Sequence, residues 1–106
     1  MRHKHLGVFI ITFAYSEALN EVHDKLTPLL LQYHFATVVA DGHGVARPLP
    51  KDTWAIASFM SLSELTVFIK KIITIIPNFQ PEIRVMTRDD YFFPGFLLAG
   101  INNVRK

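Results

Sequence analysis

The chain has 106 residues and not one is cysteine. That excludes disulfides, thiolate metal sites and a cysteine nucleophile. It agrees with a reducing, cytoplasmic compartment. Charge is also sparse. Asp, Glu, Lys and Arg make up 19% of the residues, against about 25% in ordinary soluble domains. Neither sign dominates, since 11 Lys and Arg stand against 9 Asp and Glu. The dense basic stripe of a strong nucleic-acid binder is missing. No run reaches the ~18 apolar residues of a membrane span, so no membrane partner is expected. Gly-rich phosphate loops and the HExxH and GxSxG signatures are absent as well.

What is present is apolar: 50% of the residues, counting tyrosine and tryptophan. A small domain leaves much of its surface in water. The apolar excess therefore implies burial against a ligand or another chain. A homodimer is the expected assembly, and residues 1–106 are expected to form one domain.

The order of hydrophobic patterns carries the fold. Arg2, His3, Lys4 and His5 precede an apolar run, Leu6–Tyr15. A basic start before such a run also suits a signal peptide. The β-branched and aromatic residues Val8, Phe9, Ile10, Ile11, Thr12 and Phe13 favour a buried strand instead. Helical spacing follows over 16–34, through Leu19, Val22, Leu26, Leu29, Leu30 and Tyr33. Pro28 interrupts it, which predicts a kink or break. Strands are predicted at 36–43 and 52–60, joined by a connection stiffened by Pro48 and Pro50. Ser61-Leu62-Ser63-Glu64 reads as a capping box opening a second helix that Pro77 ends. A last strand over 82–88 alternates, with Ile83 and Val85 on one face and Arg84, Met86 and Arg88 on the other.

This βαββαβ order resembles the ferredoxin-like, split-βαβ plan over residues 5–88. The resemblance implies an α+β fold: a four-stranded antiparallel sheet in the order 4-1-3-2, with two helices on one face. The aromatic extension over 89–106 stands outside that plan. Its Tyr91, Phe92, Phe93 and Phe96 are expected to cover a sheet edge, the open face or a second subunit.

Several constellations can carry chemistry. His43 lies between glycines in Asp41-Gly42-His43-Gly44, with Arg47, Lys51 and Asp52 close in sequence. Asp41 orienting His43 would suit general acid–base work. The plainer reading is a turn with exposed polar residues. His3 and His5 on one side of a strand offer two imidazoles to a metal but lack a third ligand, so no metal site is expected. His23 and His34 read as surface or structural residues of the first helix. Arg84, Arg88 and Trp54, with Phe9 and Phe13, would bind RNA if they converged on the open face, with the loop cation Arg47 as a further binding candidate. No RNP-type motif accompanies them. The plainer reading puts Phe9 and Phe13 in the core and Trp54 in a subunit interface. Thr12–Ser16 holds no carboxylate, a departure from small ferredoxin-like nucleases. Arg88-Asp89-Asp90 reads as a solvated strand exit.

The chain therefore reads first as a small homodimeric interaction or regulatory protein without a catalytic motif or cofactor. The alternatives are a nucleic-acid-binding protein or nuclease using the open sheet face, and a small-molecule enzyme or sensor with a pocket near His43 and Trp54.

Overall fold

A computed structural model describes residues 5–16 and 20–92. The architecture is α+β with antiparallel strands. β1 (Gly7–Ala14) is the central strand, flanked by β4 (Thr53–Ser58) and β5 (Glu82–Thr87). Both pairings are antiparallel, with Ile11 opposite Trp54 on one side and Val85 on the other. Unbroken β-branched and aromatic character suits a strand covered on both faces, and Ile10 and Ile11 are both fully buried.

The alternation of β1 sorts the two faces. Phe9, Ile11 and Phe13 pack with Trp54, Ile83 and Val85 under the helices α1 (Asn20–Gln32) and α2 (Leu62–Ile72). Val22, Leu26 and Leu30 supply the α1 stripe, and Leu65 and Ile69 supply that of α2. Leu19 lies outside the described residues. Pro28 does not break α1, which runs through it to Gln32. Pro28 and Asp24 are both exposed, so water can serve the Asp24 carbonyl that Pro28 leaves without a donor. The helix ends at His34, which has φ 70°. Its N–H donates to the Leu31 carbonyl, and the Phe35 N–H reaches back to Leu30, each at 3.0 Å. This is a Schellman closure with histidine in the position usually held by glycine.

α2 starts as its sequence predicts. The Glu64 N–H donates to Ser61 Oγ at 3.2 Å, and the Ser61 N–H donates to Glu64 Oε1 at 2.9 Å. The predicted span to residue 76 divides. A 3-10 turn over Ile73–Ile75 follows the α-helix.

The four-stranded ferredoxin-like sheet is corrected in one part. β4, β1 and β5 keep the expected order of three strands, but the second strand does not form a full ladder beside them. It meets β4 only at the bridge between Ala36 and Ala55. It then continues as β2 (Val38–Ala40) and turns back through β3 (Ala46–Pro48), the segment expected to be a plain connection. This two-stranded ribbon leans over the second face of the sheet. Val39 and Leu49 pack there with Ile10 and Ala55. A five-residue helix, α3 (Arg88–Phe92), brings Tyr91 and Phe92 to the same cluster. The face expected to be open is thus largely covered by the chain itself. The rest of the aromatic extension, with Phe93 and Phe96, lies outside the described residues. Among the described residues no helix is long and apolar enough to cross a membrane.

Candidate active site

One polar cluster forms where β1 leaves the sheet and β4 enters it. The helix-facing alternation of β1 passes from Phe13 to Tyr15, which joins the edge of the same core cluster. The edge of Tyr15 packs against the face of Phe79 or the reverse, with centroids 5.1 Å apart and planes at 87°. Asp52 directly precedes β4 and has φ 63°, a left-handed conformation that aspartate tolerates better than most residues. Its carbonyl accepts the Phe13 N–H at 2.9 Å, which ties the two strand ends together.

The Asp52 carboxylate then meets two donors through one oxygen. Tyr15 Oη donates to Oδ1 at 2.7 Å. His23 Nδ1, from the first turns of α1, lies 3.2 Å from the same atom. An ionised carboxylate can only accept. The His23 Nδ1 therefore carries hydrogen, and in the neutral ring the lone pair sits on Nε2. The His23 side chain is 36% exposed and that of Asp52 19%. The dyad is shielded enough to hold its geometry and open enough to meet a substrate. Tyr15 is not a competing base. Burial, then the hydrogen bond and charge of Asp52, push its phenol pKa well above the ordinary value.

Of the residues grouped with His43 in the sequence, Asp52 enters this cluster, whereas Asp41, His43 and Arg47 lie elsewhere. Asp41 is nearly buried and does not orient the His43 ring. Its Oδ1 accepts the backbone N–H groups of His43 at 2.8 Å and Val45 at 3.0 Å, and its Oδ2 accepts Arg47 Nε at 2.8 Å. These contacts, Arg47 first, lower its pKa to about 2. Asp41 is the organiser of the turn between β2 and β3. Gly44 at φ 78° completes that turn, with open space where a Cβ would stand. The His43 side chain is exposed at the turn.

Trp54 points into the helix-side core and is 2% exposed. It is therefore neither on the outer sheet face nor beside His43, and a pocket centred on the pair does not form. Phe9 and Phe13 are core residues, so their rings are not available for stacking with bases. Arg84 is exposed on the opposite face from the helices. Arg88 reaches across from α3, where Nη1 lies 3.4 Å from the Ala40 carbonyl. It borders a hollow of about 380 Å³ between the ribbon and the sheet, with His34, Ala36, Val38 and Ala57 among the other walls. His3 lies outside the described residues. Among those described, no three His, Asp or Glu side chains are grouped to hold a metal ion.

The reading of His23 as a surface or structural residue thus passes over the one histidine engaged by a carboxylate side chain among the described residues. Its partner lies 29 residues away, and Tyr15 lies 37 residues from Asp52. No local motif can show such a set. One signal was available: the core position of Val22 puts His23 at the margin of the buried stripe, and the inward face of β1 continues to Tyr15. Comparison with known protein families gives a match. The model described as "GhoS: Endoribonuclease GhoS" matches residues 1–93.

Proposed function

The chain belongs to the GhoS endoribonuclease family, and on that premise we propose that it cleaves RNA internally with His23 as its proton acceptor. The observation that carries the reading is the shared Asp52 oxygen, which holds the His23 ring and Tyr15 together at the sheet end. A histidine whose Nδ1 is held by a carboxylate presents Nε2 as a base of fixed tautomer and direction. Phosphodiester cleavage needs proton removal from an attacking oxygen, which is what such a group does.

This reading replaces the non-catalytic interaction protein as the leading one. Family membership favours action on nucleic acid, and the dyad supplies a chemical group that the sequence did not display. The exposed Arg84 and the partly exposed Arg88 are proposed to contact phosphates away from the cleavage point. Arg88 follows β5 at the end of the sheet far from Tyr15, about 20 Å or more away by strand geometry. The substrate would accordingly span several nucleotides.

The test is cleavage of a mixed-sequence RNA by the native chain, His23→Ala, Asp52→Asn and Tyr15→Phe, each checked for fold by circular dichroism. His23→Ala is expected to lower kcat by about 10²–10⁴-fold, the usual size of a general-base effect. Folded His23→Ala with native activity would remove the dyad from the mechanism. Absence of RNA cleavage by the native chain would remove the nuclease reading.

Self-association is proposed as well. Among the described residues the outer edge of β5 has no neighbouring strand, and Leu6, Val67 and Ile75 are more than half exposed. Such an edge and such apolar groups favour a second copy. Light scattering on the eluting protein should give twice the chain mass. A monomer at micromolar concentration would end this proposal.

A further inference from the structure

We infer that the attacking nucleophile is the RNA's own 2′-hydroxyl, so that cleavage leaves a 2′,3′-cyclic phosphate and a 5′-hydroxyl. This rests on the reading of the chain as an endoribonuclease. The cluster contains few groups able to act on a proton. Among the described residues it offers one imidazole bonded through Nδ1 only, one carboxylate and one phenol. The carboxylate is occupied by both neighbours through the same oxygen. The phenol is held protonated by burial and by that carboxylate. Imidazole is a stronger base than a carboxylate, so among the described residues of the cluster His23 Nε2 is the group suited to take a proton.

A single imidazole base is well matched to a nucleophile that the substrate delivers. The 2′-oxygen stands beside its own phosphorus, and well-oriented intramolecular attack is worth effective concentrations of about 10⁵–10⁸ M. A water nucleophile needs separate groups to bind and align it, and in the described cluster Oδ1 of the one carboxylate already holds both His23 and Tyr15. The apolar wall of Phe79 beside Tyr15 adds no polar group for that purpose.

His23 Nε2 removes the proton from the 2′-oxygen as the O2′–P bond forms. The P–O5′ bond breaks, and its electron pair goes to O5′. The O5′ oxygen takes a proton from solvent water. The imidazolium then returns its proton to solvent. Nothing is oxidised or reduced. Asp52 acts as a positioning residue, because it holds Nδ1–H and stabilises the imidazolium without touching the substrate. Tyr15 positions Asp52 in turn.

The experiment first maps one scissile bond in an RNA oligonucleotide cut by the native chain. The nucleotide on its 5′ side is then replaced by its 2′-deoxy form. Cleavage at that bond should fall by more than about 10³-fold, the scale of a lost intramolecular nucleophile. Other cleaved bonds in the same strand should be unaffected. Mass spectrometry of the native products should show a 5′ fragment one water lighter than the linear phosphate. Unchanged cleavage of the deoxy-substituted bond, or products bearing 5′-phosphate, overturns the inference while leaving the endoribonuclease reading intact. A native chain that cuts no RNA overturns both.

Discussion

At the scale of single residues, two aspartates divide the polar work. Asp52 is shared by a phenol and an imidazole, whereas Asp41 is spent on its own turn. Asp52→Asn should lower kcat while KM stays within a factor of about three, because an amide can present N–H to His23 and favour the wrong tautomer. A merely structural role would change stability without this split, so steady-state kinetics and thermal melting together decide it. Asp41 gives a pH prediction. Its carboxyl titrates at about 2 in the fold against an ordinary 3.8. A depressed pKa means stability that is present above about pH 4 and lost as pH falls through about 2. Urea midpoints between pH 4 and 2 should decline in the native chain and decline less in Asp41→Asn. Tyr15 acts with the opposite sense. Its folded pKa lies above the ordinary 10.0, so its contribution is full below pH 10 and lost as pH rises beyond it. Tyr15→Phe should reduce that alkaline loss. The local sequence shows the turn at Asp41 through its glycines. It does not show the role of Asp52, because both partners arrive from distant elements.

Elements end where backbone groups find substitutes for their missing partners. The Ser61 and Glu64 capping box is legible in four consecutive residues, and the structure closes both of its hydrogen bonds. Ser61→Ala should cost about 1 kcal/mol of unfolding free energy, measured by urea denaturation. His34 closes α1 in a left-handed conformation that strains a side chain bearing Cβ. His34→Gly should therefore stabilise the protein, by up to about 1 kcal/mol after the entropic penalty of glycine. A loss of stability would show that the imidazole has a role beyond the cap. Pro28 marks the limit of reading elements one at a time. Its rule predicts a kink or a break, and a break is avoided because the affected carbonyl belongs to an exposed residue and buried leucines lie on the other side. Tertiary burial of Leu26 and Leu30 holds the helix together. β3 is hidden in the sequence for a related reason. Two prolines disguise a ribbon strand whose partner is β2, and Pro48 is tolerated where only one neighbour strand needs hydrogen bonds.

Across the whole molecule, the two sheet faces have different owners. One belongs to α1 and α2, with Trp54 and the inward phenylalanines beneath them. The other is covered by the β2–β3 ribbon and α3. RNA stacked on sheet aromatics is therefore excluded for Phe9, Phe13 and Trp54, and the proposed substrate contacts move to cations and the sheet end. Binding of a single-stranded RNA should weaken with salt. Arg84→Ala combined with Arg88→Ala should reduce the slope of log affinity against log salt by about 1.4, near 0.7 per lost phosphate contact. An unchanged slope would exclude both arginines from phosphate contact.

The sequence by itself determined the α+β class, the central place of the first strand, both long helices and the cap of the second. Those features depend on periodicity and neighbours within a few residues, which are written in order along the chain. Tertiary structure decided the rest. It bent the second strand away from a full ladder, because Val39 and Leu49 gain more by covering Ile10 than an exposed ribbon would allow. It buried Trp54, since position 54 faces the helices once β4 pairs in register with β1. It also assembled Tyr15, His23 and Asp52, whose proximity follows from the Phe13–Asp52 hydrogen bond and the seating of α1 on the sheet. Proximity across 29 and 37 residues is a property of packing, and no spacing along the chain encodes it.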